Sequence, residues 1–90
     1  YADGFGFTQF DGTYVFDGVE KENERPVYYN TVTPYLKIYY DGTYWTMSDG
    51  VNDWYRSTVT VSDPFKLYEG PWSVIETVAA PAGSISSVEF

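Results

Sequence analysis

Asp49 and Asp53 flank Asn52 in one loop and stand beside Trp54. Glycoside hydrolysis uses such equipment, a pair of carboxylates held roughly 5 to 10 Å apart across a sugar next to an aromatic platform. Acidic loops are common in a chain with a pI of about 4.1, and no apolar run here frames a large cleft, so the reading expects no enzyme. The same loop, SDGVND, could offer Asp49, Asn52, Asp53 and a backbone carbonyl to Ca²⁺, which takes six to eight oxygen ligands. Its spacing is not that of an EF-hand loop. Turn formation and solubility account for these acids, and no metal or other cofactor is expected.

The aromatic residues suggest binding rather than catalysis. Tyr35, Tyr39 and Tyr44 fall on one face of a predicted hairpin, where flat rings stack on sugar rings or on a protein partner. Trp54, with Asp49, Asn52, Asp53 and Arg56 as polar neighbours, extends that candidate surface. Two functions follow from it. The first is a non-catalytic extracellular structural or interaction module that meets neighbouring domains or copies through edge strands and aromatic faces. The alternative is a lectin-like module that binds a glycan through the exposed Tyr and Trp rings. The plain structural alternative is that a second sheet or a loop covers this face.

Composition excludes other classes. Thirteen acids against five bases give a net charge of -8, with no basic stripe to displace counterions from a nucleic acid. An anionic membrane surface is disfavoured for the same reason, and no apolar run approaches the roughly 20 residues that cross a bilayer. The chain has no Cys and no His, which removes disulfides, thiolate chemistry and the commonest general base and zinc ligand. Ten Tyr, six Phe and three Trp suit a small core, because each ring removes much area from water while few rotors are frozen. Acidity with abundant Tyr, Thr and Ser suggests an extracellular or cell-surface setting. A first residue Tyr1 in place of Met fits a processed chain or an excised domain.

The element expected to position the rings is residues 35–48, YLKIYYDGTYWTMS. Asp41-Gly42 between two strand-like runs predicts a two-residue type I′ turn. That turn would set Tyr40 opposite Thr43, Tyr39 opposite Tyr44 and Ile38 opposite Trp45. Period-two alternation then puts Leu36, Ile38, Trp45 and Met47 on the core face, and Tyr35, Lys37, Tyr39, Tyr44, Thr46 and Ser48 on the other.

Residues 7–16 read as a second hairpin about Asp11-Gly12, and residues 17–24 as a charged connection. DGTY occurs at 11–14 and at 41–44, best explained as shared turn usage. Residues 25–30 form a strand with Pro26 at an edge or at its start. Residues 55–62 alternate with Tyr55, Ser57, Val59 and Val61 on one face, and residues 72–78 form a last strand with Trp72, Val74 and Ile75 as core contributors. The whole is one domain, 1–90, of all-β class: a small antiparallel barrel or sandwich of six to seven short strands, without α-helix. Residues 1–10 and 79–90 are terminal arms or added strands, candidates for pairing with a neighbouring copy.

Gly18-Val19, Asn23, Arg25-Pro26-Val27-Tyr28, Tyr35-Leu36, Tyr39-Tyr40, Trp45, Met47, Pro64 and Trp72 follow a spaced pattern, G-V-x-N-G-R-P-V-Y, Y-L-Y-Y, W-x-I, P and W. The chain thereby resembles, over about two thirds of its length, a small β module that recurs in large eukaryotic multidomain proteins. Glu24 stands where the pattern has Gly, at the tight turn before the strand, and two extra residues lengthen the loop ahead of it. The resemblance implies a fold and carries no established activity.

Overall fold

The computed structural model describes residues 1–60, 67–75 and 82–86, the side chains of Asp17 and Glu20 excepted. The eight strands among them are β1 (Ala2–Asp3), β2 (Tyr14–Glu22), β3 (Arg25–Asn30), β4 (Lys37–Tyr40), β5 (Trp45–Ser48), β6 (Asp53–Ser57), β7 (Gly70–Val74) and β8 (Ser84–Ile85). All pairings are antiparallel, in the order β1-β8-β7-β6-β5-β4-β3-β2. From β2 to β8 the chain is a meander, each strand beside its successor.

Ala2 then nearly closes the sheet into a barrel. Its N–H donates to the Gly12 carbonyl and the Gly12 N–H donates back, both at 2.8 Å. The expected all-β antiparallel class holds; of the two architectures left open, barrel or sandwich, the nearly closed sheet is barrel-like, and it has more strands than six or seven.

Residues 7–16 do not form the expected hairpin. A 3-10 turn, Thr8–Phe10, occupies the middle of the segment. Phe5 and Phe10 are buried, with their rings 4.7 and 5.4 Å from that of Tyr55. Two aromatic side chains that fill the end of a barrel gain about 2 to 3 kcal/mol each by leaving water, more than an exposed glycine-rich hairpin could recover. Asp11 serves this lid, its Oδ1 accepting the Phe5 N–H at 2.9 Å. The first DGTY is thus a lid anchor and the second a hairpin tip.

The sequence assigned residues 17–24 to a connection, whereas β2 runs on to Glu22. The turn that follows is Asn23-Glu24, with φ of 50° and 63° between the paired Glu22 and Arg25. Successive positive φ values are what a type I′ hairpin requires. Pro26 does not mark a sheet edge, since β3 lies between β2 and β4. It stands beyond the β3–β4 pairs, Tyr28 with Ile38 and Tyr29 with Lys37, so its missing N–H costs that ladder nothing.

The β4–β5 hairpin forms in a register different from the expected one. Tyr40 faces Trp45, Tyr39 faces Thr46 and Ile38 faces Met47, because Asp41 closes the loop instead of sitting at its tip. The Asp41 N–H donates to the Tyr44 carbonyl at 3.0 Å, and Asp41 Oδ1 accepts the N–H groups of Thr43 and Tyr44 at 2.8 and 2.7 Å. Gly42 takes the first tip position at φ 105°. The slip is by an even number of residues, so the faces keep their composition. Leu36, Ile38, Trp45 and Met47 are all buried, as expected, and half-buried Tyr40 packs against them with its ring 5.6 Å from Trp45.

Of the run at 55–62, Tyr55 and Ser57 are buried, while Val59 lies past the end of β6 and is exposed. Val61 falls outside the described residues. Trp72 is buried, whereas Val74, two residues on and therefore on the same face, is 40% exposed at the last position of β7. Ile75, the third expected core residue, is half-buried just past the strand, its N–H donating to the Trp54 carbonyl at 3.0 Å. Residues 76–78, and Val88 and Phe90 of the tail, also lie outside the described residues.

Candidate binding face on the outside of the barrel

The outward face of β4, β5 and β6 gathers most of the side chains that the sequence marked. Thr46 sits at its centre, facing Tyr39 on one side and Arg56 on the other. Although Thr46 points away from the core, it is only 1% exposed, and its hydroxyl donates to Asp41 Oδ2 at 3.3 Å. Tyr39, Tyr44 and Arg56, all half-buried, roof it.

Each ring is held by a polar partner. The Tyr39 hydroxyl donates to Asp53 Oδ1 at 2.8 Å, and Lys37 Nζ lies 5.0 Å from the Tyr39 ring centroid. Lys37 Nζ is also 3.9 Å from Glu22 Oε2. Across Thr46, the Arg56 guanidinium lies 5.3 Å from the centroid of Tyr44. Both contacts are within the roughly 6 Å reach of a cation–π interaction. Burial, then the hydrogen bond to Asp53 and the charges of Asp53, Glu22 and Asp41, push the Tyr39 phenol well above the usual tyrosine range.

A β-bulge lets Asp53 and Arg56 share this face. Residues three apart in a regular strand point to opposite sides. Here Ser48 pairs with Asp53 while Met47 pairs with Tyr55, so Trp54 is the extra residue and the alternation restarts after it. Trp54 turns to the lid, its ring 5.2 Å from Phe7 and 6.5 Å from Phe10. It therefore leaves the candidate surface on which the sequence placed it.

Asp49 and Asn52 belong to the β5–β6 loop, which repeats the β4–β5 design. The Asp49 N–H donates to the Asn52 carbonyl at 3.1 Å, and Asp49 Oδ1 accepts from Val51 and Asn52 at 2.9 and 2.7 Å. These bonds, that of Asn52 foremost, hold the Asp49 carboxyl below its ordinary value. The carboxylates proposed as an acid pair thus both have structural employment, Asp49 in its turn and Asp53 on Tyr39. Among the described residues no group of three or more acids converges as a metal ligand set. Tyr35 stands apart and is 62% exposed, with its carbonyl 3.8 Å from where a side chain on Gly50 would begin.

The sequence reading did not single out Lys37, Glu22 and Asp41 as parts of this site. Period-two alternation places Lys37 on the Tyr39 face from the sequence alone, and only its role beside the ring needed the structure. Comparison of the chain with protein-family models, with curated proteins and with solved structures gives no match in any of the three.

Proposed function

We propose that the chain is a non-catalytic structural or interaction module, working outside the cell or at its surface, that meets a neighbouring domain or further copies through its outer aromatic face. The pairing of Tyr39 with Lys37 and Asp53, and of Tyr44 with Arg56, carries the reading. Tyr and Arg are enriched where interfaces concentrate their binding energy. Rings fixed before contact lose little side-chain entropy on binding. Sedimentation velocity over a concentration series tests it. A sedimentation coefficient that rises with concentration, and ceases to rise in Tyr44→Ala, is the expected result. A monomer at every concentration would remove self-association.

Glycan binding is the second reading, and it draws on Tyr35. The Tyr35 side chain is exposed and its main chain passes beside Gly50 of the loop that carries Asp49 and Asn52, so an aromatic ring and polar groups stand in one neighbourhood. Glycan-array binding that is lost in Tyr35→Ala would favour it, and an array without signal would count against it.

A further inference from the structure

Among the described strands, β1 alone departs from chain order. It fills the slot between β8 and Gly12, and the hydrogen bonds that hold it there among the described residues are main-chain ones. The Tyr1 amine donates to the Ser86 carbonyl at 2.6 Å, and the Ser86 N–H donates to the Tyr1 carbonyl at 2.9 Å. Ala2 pairs with Ile85 and Asp3 with Ser84, while the far side of Ala2 makes the reciprocal bonds to Gly12. Ala2 is fully buried, so the slot selects an extended segment with a small central side chain.

The chain then turns sharply. Gly4 has φ 81° and passes under Gly83, which directs Phe5 back into its own core. Gly4 in an extended conformation would instead carry residues 1–3 away from their own barrel. A strand bound by main-chain groups can be replaced by an identical strand with no change in the inventory of bonds.

We infer that the slot between β8 and Gly12 accepts residues 1–3 of a second copy, with Gly4 as the hinge, so that two copies exchange β1 reciprocally. The inference rests on the reading of the chain as a module that meets further copies, and it names the partner and the element. The tethered strand competes with an effective concentration in the millimolar range. The closed form therefore dominates in dilute solution and the exchanged form grows as the protein approaches ~1 mM.

The chain has no Cys, so Asp3→Cys with Ser84→Cys supplies the only thiols. Both positions are exposed and face each other across β1 and β8. Antiparallel partners, roughly 4.5 to 5.5 Å apart at Cα, fit a disulfide. Unlabelled and nitrogen-15-labelled chains are mixed, equilibrated, oxidised and digested, and the peptides joining Cys at 3 to Cys at 84 are weighed. The expected result is a hybrid-isotope pair that is negligible at ~10 µM and substantial near ~1 mM.

Adding Gly4→Ala strains only the closed form, where φ is positive, and raises the hybrid share about tenfold at fixed dilute concentration. Pairs of a single isotope at every concentration, with and without Gly4→Ala, would overturn the exchange. If sedimentation then still showed association lost in Tyr44→Ala, the interaction reading would stand and the exchange alone would fall.

Discussion

The Tyr14 hydroxyl donates to the Phe10 carbonyl at 2.8 Å in the interior of the barrel. This bond joins the first residue of β2 to the last residue of the 3-10 turn, and it satisfies a carbonyl that the lid carries away from water. Tyr14→Phe keeps the ring and orphans that carbonyl, an expected loss of about 1 to 2 kcal/mol in urea unfolding. An unchanged midpoint would show that the lid carbonyl finds another donor.

The same residue sets an alkaline limit. Burial above all raises the Tyr14 phenol, and burial does the same for Tyr39, Tyr28 and Tyr55. A raised pKa means that the unfolded chain releases the proton first, so the stabilisation is complete below the unfolded value of about 10 and is lost as pH rises beyond it. The urea midpoint should be flat to about pH 9.5 and fall above pH 10. In Tyr14→Phe the fall should be shallower.

Glu24 has φ 63° directly after Asn23 at 50°, and a side chain in that region costs about 1 to 2 kcal/mol. Glycine removes the strain but makes the unfolded chain freer, so Glu24→Gly should stabilise by a net of about 0.5 to 1 kcal/mol. For a domain of this size that is a rise of roughly 2 to 8 °C in Tm. A fall in Tm would show that Glu24 contributes more than its turn costs.

Period-two alternation made the core side of the central hairpin legible, because a register slip of even length leaves every side chain on its face. The register itself was not legible. Asp-Gly satisfies both a tip formed by Asp and Gly and a tip that starts at Gly, and the choice falls to a carboxylate that accepts the N–H groups two and three residues on. Asn23-Glu24 was hidden for the opposite reason, since Glu at a positive φ is disfavoured and only the sheet around it imposes the turn. Asp53 could not be placed beside Arg56 without the bulge at Trp54, and bulges leave no periodic trace. Residues 5–10 misled because alternating Phe is also the pattern of a strand, and only the open end of a barrel makes it a lid.

Asn30 joins three parts of the lid end. Its Oδ1 accepts the Val32 and Thr33 N–H groups, both at 2.9 Å, and its Nδ2 donates to the Asp11 carbonyl at 3.3 Å. Asn30 is 2% exposed, so Asn30→Ala removes the partner of three part-buried groups at once. The expected loss is about 2 kcal/mol, with faster amide hydrogen exchange at Val32 and Thr33. Unaltered exchange at both amides would contradict this role.

Gly83, the residue before β8, packs tightly against the backbone from Asp3 to Phe5. A side chain there would collide with the Asp3 carbonyl and come within 2.7 Å of the backbone of Gly4 and Phe5. Backbone cannot swing aside as the end of a flexible side chain can, so the strain falls on the short β1–β8 ladder, in which Ala2 pairs with Ile85 and Asp3 with Ser84 and Tyr1 bonds Ser86 beyond them. The Gly83 carbonyl also accepts the Trp72 N–H at 2.8 Å, which fixes the residue from the other side. Gly83→Ala should therefore destabilise by about 2 kcal/mol or more, within the range of overpacked interiors. The loss should be local before it is global, with amide exchange accelerated first at Ala2, Gly12 and Ser86 and later at Met47 and Tyr55. Uniform acceleration across both groups would mean that the seam opens only with the whole barrel.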